Sequence, residues 1–210
     1  MDGIGSVHDK LRGWVGGYQI LRETLTKLAE EKRQNGGGPR LRANVILMRQ
    51  TIPDFERLCI ELAGWGIEEI TFNQLGGRDR PEFFPAHRLL PEQVGQFTAE
   101  IPHLRGRLAG LGVQLNGSER YLDRIQASSR DEAIAVTNCR PGERFLFVNE
   151  DGIVSPCNFT SRGYGMSVDE LDSVESLCEL PQRFGQLRRD NKLAACQDCH
   201  STQVFEKFAA

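Results

Sequence analysis

Six cysteines in a chain of 210 residues are spread unevenly, and their spacing constrains the fold more than any other feature. Cys59 stands alone in the first half, whereas Cys139, Cys157, Cys178, Cys196 and Cys199 crowd the last third. The opening stretch Met1-Asp2-Gly3-Ile4-Gly5 does not read as a secretory signal, so a disulfide framework is disfavoured and a metal or redox site favoured. Cys196 and Cys199 form a C-x-x-C knuckle, a spacing that lets two thiolates bind one metal centre without strain. Cys139 and Cys157 flank a predicted β-hairpin, Phe145–Val148 and Ile153–Val154, in which Gly152 supplies the positive φ of the turn. The two are therefore expected to meet at the hairpin base. Together Cys139, Cys157, Cys196 and Cys199 offer four soft sulfur ligands, which suit tetrahedral zinc or an iron–sulfur cluster. Cys59, on the apolar face of a predicted helix, and Cys178, inside another, are expected in the core. Residues 196–200 also spell the haem-attachment pattern C-x-x-C-H, but only residues 201–210 follow, too little chain to wrap a macrocycle. His200 is expected at the surface or behind the ligands.

Composition narrows the function classes. The net charge of −3 and the lack of a long basic run give no electrostatic support for a nucleic-acid surface. No apolar run approaches the ~18 residues that would span a bilayer, so no membrane partner is expected and a cytoplasmic location is. A chain of this length folds as one large domain or two small ones.

Along the first two-thirds, helix and strand patterns alternate. Tyr18 to Gln34 reads as a helix with Ile20, Leu21, Leu25 and Leu28 on one face, and Asn35-Gly36 ends it. Residues 43–48 read as a strand buried on both faces, Pro53 opens a second helix, and Ile67 to Phe72 reads as the next strand. A third helix runs from about Pro91 to Leu111 before a brief strand at Val113–Leu115. This order predicts parallel βαβ units with ligands at the carboxyl ends of strands, where the long loop 73–90 begins. In the last third, Ser167-Val168-Asp169-Glu170 is a capping box expected to open a helix that Pro181 interrupts and Asn191 ends. The fold class expected is α/β, with units at 1–125 and 126–210.

The spacing Cys139-x12-Gly152-x4-Cys157, followed by Cys196-x2-Cys199, resembles the auxiliary domain of radical S-adenosylmethionine (SAM) enzymes. The short twitch form fits better than the longer SPASM form, since Ser201 to Ala210 adds no further cysteine. Asp2-Gly3-Ile4-Gly5-Ser6-Val7-His8-Asp9-Lys10-Leu11-Arg12-Gly13 is similar to the stretch after the fourth strand of the same family's barrel. The resemblance implies that residues 1–125 are the C-terminal part of a partial (β/α)6 barrel, with strands five and six and helices four to six. Residues 126–210 would then be a small α+β auxiliary-cluster domain with one [4Fe–4S] cluster on Cys139, Cys157, Cys196 and Cys199.

The family's C-x3-C-x2-C motif, which binds the cluster that cleaves SAM, does not occur in the chain. The expectation is therefore a truncated product, or half of a split protein, that does not cleave SAM alone. A second [4Fe–4S] cluster and SAM would be present only in a full-length form. Open edges on the strand at 43–48 would suit docking of a missing N-terminal half or a complete radical SAM subunit. By resemblance the auxiliary cluster transfers electrons in the oxidation or modification of a peptide or other organic substrate. The resemblance also puts Asn73 and Gln74 near SAM or substrate and Asp2 near a ribose. The planar fork of Arg12 suits an anionic group such as a SAM or substrate carboxylate, the charge-rich loop Gly76–Arg80 either faces the substrate or is simply solvated, and His8 and Asp9 are expected to hold a loop together. The resemblance names no catalytic residue. Two non-enzymatic readings compete: a zinc-stabilised α/β binding module with a four-cysteine site, and a degenerate partner subunit that scaffolds a complete enzyme.

Overall fold

The computed structural model describes residues 1–76, 80–137 and 139–209. The chain is mixed α/β and divides into two units, Met1–Arg130 together with the segment from Glu206 onward, and Asp131–Phe205.

The first unit opens with α1 (Ser6–Arg12) and α2 (Gly17–Gln34). Asp9 links them, its carboxylate accepting from the backbone N–H of Gly16 at 2.7 Å and of Tyr18 at 2.8 Å. That satisfies two of the donors a helix N-terminus leaves open. The apolar stripe expected on α2 is only partly covered: Tyr18 is buried and Leu21 and Leu25 half-buried, but Ile20 and Leu28 are exposed. After α2 come β1 (Arg42–Leu47), a 3-10 turn at Ile52–Asp54, α3 (Phe55–Gly64), β2 (Glu69–Gln74), α4 (Phe84–His87), α5 (Pro91–Ala109), β3 (Gln114–Leu115) and α6 (Glu119–Ser129).

Among the described residues β1, β2 and β3 form a parallel sheet in that order, with Val45 opposite Phe72 and Ile70 opposite Leu115. Met1 sits on the outer edge of β1. Its ammonium donates to Asn44 O at 2.7 Å and its carbonyl accepts from Ile46 N at 2.9 Å.

The two faces of this sheet differ sharply. On one, Ala43, Val45, Leu47, Ile70 and Phe72 are buried, and Phe72 packs against Phe55, Phe97 and Tyr121 with ring centroids 5.3–5.6 Å away. On the other stand Arg42, Asn44, Glu69, Thr71, Asn73, Gln114 and Asn116. The expectation that residues 43–48 are buried on both faces is thus corrected. Burial in β1 alternates because Arg42 and Asn44 stay at solvent while Ala43, Val45 and Leu47 go inside.

β2 starts later than expected. Ile67 N still donates to Leu62 O at 3.1 Å, closing the end of α3, with Gly66 between them at φ 88°. A side chain at Gly66 would both adopt that left-handed conformation and collide with Ala29 Cβ. Gly66→Ala is expected to destabilise the protein by about 2 kcal/mol or more, read as a lowered denaturant midpoint at unchanged slope.

Glu69 is buried on the polar face. Arg42 donates to it at 2.8 Å, Arg40 pairs with it at 3.5 Å, and Asn116 Nδ2 also donates to its carboxylate. Burial alone would raise its pKa, but the Arg42 and Asn116 hydrogen bonds and the two guanidinium charges outweigh that and hold it below the usual carboxylate range. A carboxyl group that is more acidic folded than unfolded lends stability above its unfolded pKa, and that stability is lost as pH falls through the folded value. Stability measured against pH is therefore expected to fall less steeply on acidification in Glu69→Gln than in the parent chain.

An expected division at 125/126 would cut α6, which continues to Ser129 with Ser129 Oγ donating to Gln126 O at 2.7 Å. The last residues do not belong with the second unit either. Gly117 N donates to Ala209 O at 2.6 Å and Ser118 N to Glu206 O at 3.5 Å, which returns this segment to the first unit.

The second unit contains β4 (Phe147–Val148), β5 (Ile153–Ser155), α7 (Ser161–Tyr164), β6 (Met166–Ser167) and α8 (Val174–Asp190). β4 and β5 form the antiparallel hairpin around Gly152 at φ 73°, and β6 adds to the far side of β5. Its core is small: Val154, Tyr164, Met166, Leu180 and Phe184. The capping box at Ser167 is formed, but it opens only a 3-10 turn, Val168–Glu170; α8 begins afterwards under a second cap at Ser173. Nor does Pro181 interrupt α8. The lost backbone bond is offset by burial of Leu180 and Phe184 on the same helical face. Among the described residues no helix is long and apolar enough to cross a membrane.

Candidate metal centre

Cys139, Cys157, Cys196 and Cys199 line one cavity in the second unit, with Val136, Phe145 and Phe159 among its apolar walls. Each is positioned by a different device. Cys139 follows residues anchored by Arg188, whose guanidinium donates to Thr137 O at 2.8 Å and to Val136 O. Cys157 closes the hairpin: Ser155 Oγ donates to its carbonyl at 3.0 Å, and Thr160 Oγ1 lies 3.3 Å from its sulfur. Cys196 ends the 3-10 turn Ala194–Cys196, with Tyr164 Oη 4.0 Å from its sulfur. That tyrosine is itself fixed, donating to Asn191 O at 2.6 Å and accepting from Leu193 N at 3.1 Å. Cys199 N donates to Ile134 O at 2.7 Å and Ile134 N to Asp198 Oδ1 at 3.1 Å, so the knuckle is tied to the start of the unit. His200 lies behind the knuckle, 3.0 Å from Asp198 Oδ2.

All six cysteines are thiols rather than disulfides. As placed, the four do not close on a single ion: among the described residues no three His, Cys, Asp or Glu side chains form a group able to hold one. Burial pushes the Cys139 thiol up; Arg188 opposes this, and the neighbouring Cys196 and Cys157 add to it. Such a thiol is protonated at neutral pH, so binding a metal there releases a proton.

Arg188 adds a second observation that suits an anionic group. Its Nε is buried and has no partner, although the residue lines the cavity. A buried donor without an acceptor is costly, and a sulfur-rich, negatively charged centre would satisfy it. The donor set and the orphaned N–H together fit a thiolate-bound cluster.

Cys59 is fully buried on α3, where desolvation raises its pKa far above the ordinary thiol range. Cys178 is a correction. It is exposed, because the buried side of α8 is set by Leu180 and Phe184 and position 178 falls off it. The remaining expected contacts lie in the first unit. Arg12 Nε meets Asp2 Oδ2 at 2.5 Å and its Nη2 donates to Asp2 Oδ1 at 3.2 Å, so its fork is already committed within the chain. Asn73 and Gln74 do end β2; Asn73 Oδ1 accepts from Tyr121 at 3.0 Å, and Gln74 Nε2 donates to Ser128 Oγ at 2.9 Å. Of the loop Gly76–Arg80, residues 77–79 lie outside the described residues.

No family model matches the chain, and no curated protein is significantly similar to it. Arg188 is a cavity-lining side chain that the sequence did not single out. Its only signal is two successive arginines at the end of a helix, which ordinarily complement the helix dipole.

Proposed function

We propose that residues 131–205 hold a [4Fe–4S] cluster on Cys139, Cys157, Cys196 and Cys199, and that the chain is the auxiliary-cluster portion of a radical SAM system. The substrate class is a peptide or other organic molecule undergoing oxidation or related modification. The observation that carries this reading is four thiols around one cavity with a buried, unpartnered Arg188 Nε. A mononuclear zinc site on the same four thiols is the competing reading. Zinc–sulfur bonds of about 2.3 Å would bring tetrahedral sulfurs to roughly 3.8 Å of one another, and among the described residues the cysteines form no such group.

When bound, such a cluster supplies one-electron transfer. Cys139, Cys157, Cys196 and Cys199 would hold all of its irons, which would leave none open for substrate. Arg188, which lines the cavity, would offer such a cluster a positive charge and its free N–H and so favour added electron density there. Val136, Phe145 and Phe159 give the cavity apolar walls, of which Val136 is buried and Phe159 exposed. The chain has no three closely spaced cysteines before Cys139, so a separate cysteine set must cleave SAM. Anaerobic reconstitution of the full chain with ferrous iron and sulfide tests the reading. A brown protein with a broad visible charge-transfer band and about four iron atoms per chain supports it. A colourless protein that takes up one zinc overturns it.

A further inference from the structure

On the polar face of the parallel sheet several hydrogen-bond donors share one acceptor, and one of them is a buried ammonium. Lys207, on the segment that returns to the first unit, is 6% exposed, and its Nζ donates to Asn44 Oδ1 at 2.8 Å. That oxygen also accepts from Thr71 Oγ1 at 3.0 Å and Asn73 Nδ2 at 3.5 Å. Three donors converge on one carbonyl oxygen with two lone pairs, and of the three Thr71 Oγ1 has a second, longer acceptor in Ala43 O at 3.5 Å.

Charge is unbalanced in the same sense. Glu69, the carboxylate of this face, is taken by Arg42 and Arg40, and among the described residues Lys207 forms no ion pair. Phe208 pins the arrangement, with Lys207 Nζ 5.2 Å and the Arg42 guanidinium 5.1 Å from its ring centroid. Burial, with Arg42 adding to it, brings the Lys207 pKa down to about 8. Arg42 and Asn44 are exposed at the rim of the cluster, Asn73 is half-buried, and Lys207 and Thr71 are buried, so a ligand would approach from the Asn44 side.

We propose that Lys207, Asn44, Thr71 and Asn73 form a binding site for the carboxylate or phosphate group of a small organic molecule. The incoming oxygens supply the acceptors that this cluster lacks and neutralise the surplus charge. The site stands on the first unit alone and does not rest on the metal content of the second.

The full wild-type chain provides the test. Incubation with pyridoxal 5′-phosphate lets a neutral lysine nitrogen attack the aldehyde carbon with loss of water; borohydride then adds hydride to the C=N bond and solvent a proton to nitrogen. Peptide mapping is expected to find the label chiefly on Lys207 rather than on Lys10, Lys27, Lys32 or Lys192. Excess inorganic phosphate or succinate should cut labelling of Lys207 by about tenfold and leave the other four unchanged. Protection by phosphate alone names a phosphate ester as ligand, and protection by succinate alone a carboxylate. In Asn44→Leu, an exposed position, the protecting anion should be needed at about tenfold higher concentration. No preference for Lys207, no protection by either anion, or unchanged protection in Asn44→Leu overturns the proposal.

Discussion

A Cys157→Ser variant is expected to take up iron and sulfide only at background level on anaerobic reconstitution, and its second unit to become protease-sensitive. That unit has about 75 residues and a core of Val154, Tyr164, Met166, Leu180 and Phe184. A core of that size rarely supplies more than about 3–5 kcal/mol. Metal binding to four cysteines contributes on the order of 10 kcal/mol in comparable small sites, so the centre would dominate the stability of this unit. Cys59→Ala separates the effect from ordinary packing. It removes a small buried side chain from α3, costs about 1 kcal/mol, and leaves cofactor uptake intact. Cys178→Ala, at an exposed position, should change neither property. Iron and sulfide analysis beside limited proteolysis reads all three; full cofactor content in Cys157→Ser would remove this residue from the ligand set.

The second large effect concerns Phe184, fully buried on α8 and packed so closely against Gly142 that a Cβ there would lie 2.9 Å from Phe184 Cδ2. Phe184→Ala leaves a cavity in this small core and should cost about 3–5 kcal/mol, as much as a core of that size provides. In metal-free protein, amide exchange is expected to lose protection across Ile153–Ser155 while Arg42–Leu47 retains it. Equal loss in both strands would show that the two units unfold as one.

Much of the fold was legible because the signals are local. The hairpin follows from Gly152 between two apolar runs, and the helices at 17–34, 55–64 and 91–109 from periodicity or caps, whereas α6 at 119–129 was not read from the sequence. What was misread depends on tertiary context. The alternation Arg42-Ala43-Asn44-Val45 and Glu69-Ile70-Thr71-Phe72-Asn73 is plain in the sequence, but parallel strands are usually covered on both sides, and that prior hid the polar face. The capping box at Ser167 has the right residues yet opens one 3-10 turn, since a better cap follows at Ser173. At the candidate centre the four cysteines could be named from spacing. Arg188 could not, because its role depends on where α8 lies relative to residues 136 and 137.

Lys207 was hidden for a similar reason: nothing near residue 207 in sequence announces Asn44. Holding the segment after Glu206 on the sheet ties off a chain excursion of about 75 residues. For a flexible tether of that length the closure entropy is roughly 4 kcal/mol, whereas a folded insert has already surrendered most of it. Order in residues 131–205 therefore strengthens the grip of Lys207 on Asn44 through connectivity alone, and fraying of that insert would loosen it.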